Sequence, residues 1–152
     1  ILIALLKEKK ASSEEDYQRI IRTFSGDVID SLKQLNQSRL DFAMGYRDPI
    51  EDYLNITMKI LTTTNQKFNL IELLDQFGGE QYQAILVLAR GMGVIHEDTD
   101  IQLMAHTLQI ISTYGMQALL TTEIRKNDSI FLEILNQQTE QLTKPYLLRN
   151  PN

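Results

Sequence analysis

The stretch Thr99-Asp100-Ile101-Gln102-Leu103-Met104-Ala105-His106-Thr107-Leu108-Gln109-Ile110-Ile111-Ser112-Thr113-Tyr114-Gly115-Met116-Gln117-Ala118-Leu119-Leu120 decides the fold. Ile101, Met104, Ala105, Leu108, Ile111, Ser112, Gly115 and Leu119 recur at the three- and four-residue steps of one helix face. Leu103, Ile110, Tyr114 and Ala118 carry apolar character beyond that face. A helix apolar over so much of its girth has to be covered on two sides. Thr99 with Gln102 predicts a capping box at its start, and the pattern continues to about Arg125. Ala105, Ser112 and Gly115 are small, so another helix can approach closely.

Toward the C-terminus, Asn127-Asp128 predicts the cap of a last helix that runs to about Lys144 and is closed by Pro145. The tail Tyr146–Asn152 is expected to fray. The last helix carries Phe131, Ile134, Leu135, Gln138 and Leu142 along one side. Two such helices meeting their copies across a two-fold axis form a four-helix interface. The dimer residues expected are Ala105, Leu108, Ser112, Gly115, Leu119, Phe131, Leu135 and Leu142. The other possibility is that these faces pack only within the chain, but six or seven helices leave few internal faces to cover both sides.

Toward the N-terminus, a helix over about Glu80–Arg90 ends at Gly91, read as a left-handed C-cap, and Met92–Asp98 is a loop. A short helix at about Phe68–Phe77 stops at Gly78-Gly79. Asp48-Pro49-Ile50-Glu51 has a cap, a proline at the first helical position and a capping-box acid. The helix it opens reaches about Leu61, with Tyr53 and Thr57 on its apolar face. Tyr17, Ile21, Phe24, Val28, Leu32 and Leu35 make one stripe on a long helix from about Ser13 to about Met44, with Ser25-Gly26 the place for any bend. Ile1–Lys10 reads as helix that lacks both a start methionine and a cap. The expectation is a fragment of something longer, folded as a single all-α domain of six or seven helices.

Composition agrees. Seven glycines and three prolines in 152 residues suit long helices, and a 43% hydrophobic content supports a core. There is no cysteine, so disulfide and thiolate chemistry are excluded and a cytoplasmic location fits. Apolar runs stop at six residues, Ile1–Leu6 and Ala84–Ala89, where a membrane span needs about 20. A net charge of −5 and no basic patch beyond Lys7–Lys10 make the chain itself a poor ligand for nucleic acid.

The residues offer little to catalysis. His96 and His106 are ten apart, in a loop and a helix, without a His-Glu-x-x-His or Glu-x-x-His pattern. His96-Glu97-Asp98-Thr99-Asp100 is rich in oxygen donors, but acidic capping of the next helix explains it. Gly91-Met92-Gly93 follows a helix and lacks the third glycine and the Lys-Ser/Thr of a phosphate loop. No Ser-His-acid grouping stands out, so neither an enzyme nor a metal or other cofactor is expected. Asn36-Gln37-Ser38, Asn55-Ile56-Thr57 and Asn127-Asp128-Ser129 match the glycosylation pattern by chance.

Arg90-Gly91-Met92-Gly93-Val94-Ile95-His96-Glu97-Asp98-Thr99-Asp100-Ile101-Gln102-Leu103-Met104-Ala105 resembles a stretch of the tetracycline-repressor (TetR) family regulatory domain. There a helix ends at Gly, an apolar pair follows and an acidic cap opens the next helix. Ser112-Thr113-Tyr114-Gly115-Met116 resembles the small-residue middle of that helix, and Ile1–Leu6 the start of the linking helix. The layout covers nearly the whole chain, and the specific match covers about Arg90–Leu120. Two departures are the length of Ser13–Met44 and the missing helix-turn-helix head. The resemblance implies a homodimeric, ligand-responsive regulator, most often a repressor, that reaches DNA through its head. The last two helices would form the dimer, and the middle helices a largely apolar pocket. Ligand binding would pivot the linking helix and change the spacing of the heads. By this carry-over the pocket residues are Phe42, Tyr53, Thr57, Tyr82, Leu86 and His106, each adding bulk or a polar handle to an apolar face. The acidic balance leans toward a neutral or cationic effector. The alternative is a helical interaction or scaffold module with the dimer stripe but a solid core.

Overall fold

The computed structural model describes residues 14–45, 79–121 and 128–148. Helix and short turns account for these segments, and the chain is all-α. Residues 14–22 form α1. They are followed by α2 (Val28–Gly45), α3 (Gly79–Gly91), α4 (Ile101–Thr121), α5 (Asp128–Thr143) and a 3₁₀ turn, Lys144–Tyr146. The helices expected at Ile1–Lys10, about Asp48–Leu61 and about Phe68–Phe77 lie outside the described residues. No described helix is long and apolar enough to cross a membrane.

The long helix expected over Ser13–Met44 is two helices. Gly26 takes φ 101°, which an α-helix does not allow. Asp27 restarts the chain: its Oδ1 accepts from the Asp30 N–H at 3.1 Å, and its carbonyl accepts from the Ser31 N–H at 3.1 Å. Position 26 packs toward Met92 and Val94, so the α1–α2 corner rests on the loop after α3.

That loop opens with a Schellman motif. The helix continues through Gly91, and the left-handed residue is Gly93, with φ 72°. The Val94 N–H donates to the Ala89 carbonyl and the Gly93 N–H to the Arg90 carbonyl, both at 3.0 Å. Two orphan carbonyls of α3 are thereby satisfied. The next helix is capped one residue later than expected. Asp100, not Thr99, accepts through Oδ1 from the Leu103 N–H at 3.1 Å, while Thr99 is buried.

The tail does not fray at its start. The His96 N–H donates to the Tyr146 carbonyl and the Leu148 N–H to the Val94 carbonyl, both at 3.0 Å, around an antiparallel bridge between Ile95 and Leu147. Pro145 sits in the first turn of the 3₁₀ segment that aims the chain at this loop.

The core gathers Ile20, Val28, Leu32 and Leu35 with Tyr82, Ile85, Leu86 and Ala89, and with Ile95, Ile101, Met104, Ala105 and Leu108. Of the expected stripe, Val28, Leu32 and Leu35 are buried and Ile21 and Phe24 are partly buried against them, while on α1 the fully buried residue is Ile20 and Tyr17 stays outside the core. The most extensive helix contact is α3 on α4, and α2 packs against α5, α3 and α4.

A Gly93→Ala substitution tests the loop. Nothing crowds a Cβ there, so the cost is the left-handed backbone alone. The urea midpoint should fall by the equivalent of about 1 kcal/mol with an unchanged slope. Gly91→Ala, in ordinary helix, should be neutral or stabilising.

Candidate functional site

Where α2, α3, α4 and α5 converge, the core contains a run of polar side chains. Asn36 on α2 is buried. Its Nδ2 donates to Asn136 Oδ1 at 3.1 Å and to Thr139 Oγ1 at 3.0 Å, both on α5. Its Oδ1 accepts from the Tyr82 hydroxyl of α3 at 2.8 Å. Thr139 passes its own proton to the Leu135 carbonyl at 2.8 Å. Three residues along α2, Arg39 donates from Nε to Ser112 Oγ of α4 at 3.0 Å and from Nη2 to Thr113 Oγ1 at 3.2 Å. Ser112 also lies close enough to the Tyr82 phenol to lower its pKa. The result is a polar path in which hydrogen bonds run from Tyr82 through Asn36 and Thr139 to the backbone of α5, with Arg39, bonded to Ser112, beside the Tyr82 ring.

The guanidinium carbon of Arg39 stands 5.4 Å from the Tyr82 ring centroid, within cation–π range. Burial pushes the Tyr82 phenol above its usual pKa of 10.0. The nearby Arg39 charge and the Ser112 hydrogen bond pull the other way with less effect. Tyr82 is therefore neutral and a donor at physiological pH. A second tie between α2 and α5 lies nearer the surface. Glu140 accepts Lys33 and Lys144, each at 3.2 Å, and these hydrogen bonds hold its carboxyl below the usual range.

The expected pocket residues fall in different places. Tyr82 and Leu86 are fully buried, and both belong to the same filled core. His106 is on the exposed side of α4, away from them. Tyr53 and Thr57 lie outside the described residues, and so does the side chain of Phe42. An open hollow of about 750 Å³ lies beside α1, lined among the described residues by Glu14, Glu15, Asp16, Gln18, Arg19 and Arg22, none of them an expected pocket residue. Among the described residues no group of three or more His, Asp or Glu could hold a metal ion. Asp100 of the acidic loop is used as a helix cap.

The expected dimer residues are turned inward. Ala105, Leu108, Ser112 and Leu135 are buried by the chain's own helices, and Leu142 packs against the core. Gly115 does allow a close approach, but the approaching ring is Phe131 of the same chain, 2.9 Å from where a Cβ would stand. The Leu119 side chain lies outside the described ones. Ala105, Leu108, Ser112 and Leu135 are therefore used within the monomer, while Gly115, Phe131 and Leu142 are half-buried. What stays exposed on α4 is the opposite stripe: Leu103 at 64%, Ile110 at 50% and Tyr114 at 73%. On α5 it is Ile130 and Ile134.

No family model, curated protein or solved structure matches this chain.

Asn36 and Arg39 are absent from the expectations, although α2 carries a signal for them. The apolar steps Val28, Leu32 and Leu35 arrive next at position 39, which holds an arginine. A charge at a stripe position is a buried charge. Asn36, one turn after Leu32, shares that face.

Tyr82→Phe tests the path. Loss of the hydroxyl leaves Asn36 Oδ1 without its donor in the core and should cost about 1–2 kcal/mol at neutral pH. The folded pKa of Tyr82 is raised, so its contribution is fully present below pH 10.0 and declines as pH climbs from there toward the folded value. Urea titrations at pH 8 and pH 11 should show the gap between wild type and variant narrowing in alkali.

Proposed function

We propose that this chain is the effector-sensing and homodimerising domain of a cytoplasmic transcription regulator of the TetR type, which reaches DNA through a helix-turn-helix head. The observation that carries this reading is the two-sided apolar character of α4. One face closes the monomer core, while Leu103, Ile110 and Tyr114 hold a second stripe in solvent at helical spacing. An exposed apolar stripe on a long helix marks a surface made for a partner. A second copy offering the same stripe, with Ile130 and Ile134 of α5, is the simplest occupant. On this reading the dimer face lies on Leu103, Ile110 and Tyr114 with Ile130 and Ile134, rather than on the residues expected in the sequence.

The effector half of the reading draws on the polar path through the core. Its members come from four helices, so a molecule that engages one end alters how α2 sits against α4 and α5. Coupling of that kind between a ligand and the seating of helices is what a sensor domain requires. The filled packing around Tyr82 and Leu86 favours a second reading, an interaction module with a solid core and no small-molecule site.

Native mass spectrometry of the whole chain separates these. The expected result is a dimer whose thermal stability rises with members of an apolar compound library. Ile110→Glu with Tyr114→Glu should yield a monomer of unchanged helical circular dichroism. A wild-type dimer indifferent to every compound supports the interaction module. A wild-type monomer without any ligand response overturns the proposal.

A further inference from the structure

We propose that a second copy of this chain seats its α4 antiparallel to the first, with Leu103 of one copy against Tyr114 of the other and the two-fold axis crossing between Thr107 and Ile110. This rests on the homodimer part of the reading above and deepens it by fixing the direction and register of the contact.

No Asp, Glu, Lys or Arg occurs anywhere in α4, although these residues make up 23% of the chain. The exposed side chains described on it are Gln102, Leu103, His106, Ile110 and Tyr114. A helix with one side open to water carries polar and charged residues on that side, and here the charge is missing. Two chains of net charge −5 repel one another, so copies meet at least cost where neither presents a charge, and α4 offers that window. Along it Leu103, Thr107, Ile110 and Tyr114 follow steps of four, three and four residues, the spacing of a knobs-into-holes seam. Thr107 does not interrupt the seam. Its hydroxyl donates to the Leu103 carbonyl at 2.9 Å and is satisfied inside its own helix.

The order of sizes along the seam decides the direction. Reversed, the seam meets itself with complementary bulk: Leu103 lies opposite Tyr114 and the smaller Thr107 opposite Ile110, on both sides of the axis. Laid parallel, each residue meets itself, so Tyr114 crowds Tyr114 and Thr107 leaves a gap against Thr107. A two-fold contact allows either seating, and close packing favours the first. The helix macrodipoles agree. They attract when the two helices run antiparallel, and α4 has no acid in its first turn or base in its last to offset the parallel case. Helix α5 adds to the same arrangement. Gly115 meets the Phe131 ring, so α5 borders α4 at its Tyr114 end. The partner's Leu103 arrives at that end, where the exposed Ile130 and Ile134 of α5 are left to flank it.

The full chain contains no cysteine, so introduced thiols are the only ones to report the geometry. Leu103→Cys, Tyr114→Cys and the double variant are each oxidised with copper–phenanthroline and run on a denaturing gel. Antiparallel seating holds like positions apart by the rise of helix between 103 and 114, about 16 Å. Each single variant should therefore run as one chain, and the double variant as a covalent dimer. A nitroxide on Gln102→Cys, outside the four seam residues, reads the same geometry without altering the seam. Antiparallel seating separates the two labels by roughly 20 Å along the helix axis, and parallel seating brings them level. Efficient cross-linking of either single variant, or level labels, would overturn the antiparallel seating and leave the homodimer reading in place. A wild-type dimer whose double variant does not cross-link, and whose labels lie outside that range, joins by another face, which overturns this seating and the choice of face but not the dimer. A wild-type monomer in native mass spectrometry removes the homodimer reading, and this inference with it.

Discussion

The constraint on which this domain turns is the satisfaction of polar groups in its middle. Helices α2, α3, α4 and α5 each place at least one polar side chain at their common junction, and each of these groups finds its partner on a different helix. In a low-dielectric interior an unmatched member is costly, so the network has few ways to be assembled. Leucines and isoleucines tolerate sliding past one another, whereas Asn36 with Tyr82 on one side and Thr139 on the other does not. The apolar core supplies most of the drive to collapse. The polar path selects one packing of the helices from those that collapse would allow.

The same division explains α4. Its inward face is chosen by what it has to meet: Ser112 for Arg39, and Gly115 for the ring of Phe131. Small residues on a helix advertise a close neighbour, but they do not say whether that neighbour belongs to the same chain. Here α5 takes the place, and the larger apolar residues of α4 are left on the outside. The broader stripe of a two-sided helix need not be the one that faces a partner.

Much of the fold was legible because periodicity and stop signals are local. The helical class, the face carried by Val28, Leu32 and Leu35, and the loop after α3 all follow from spacing and glycine. What local patterns could not settle was which of two adjacent candidates takes a special role. Gly93 rather than Gly91 takes the left-handed position, and Asp100 rather than Thr99 takes the cap, since the chain has to turn back toward Val94 and Ile95 before α4 begins. Ser25-Gly26 reads as no more than a bend because the apolar stripe runs through it. Two helices can share one buried stripe when the corner between them packs well, and Gly26 lies against Met92 and Val94. The candidate site was less legible. Asn36 was set aside as a chance sequence pattern, and Arg39 interrupts a stripe that the eye completes without it. Tyr82 was singled out, though as a lining residue rather than as the link between the two.

The bridge between Ile95 and Leu147 gives the domain an order of assembly. The loop after α3 and the segment after α5 are distant in sequence, so their hydrogen bonds close only when α4 and α5 are already docked. Contacts of that range form late, because the entropy of loop closure has to be met before they contribute. The pairing acts as a clasp that shuts on a finished core. Partly packed states, with α5 not yet seated, leave both strands of the clasp with bare backbone donors and acceptors facing water.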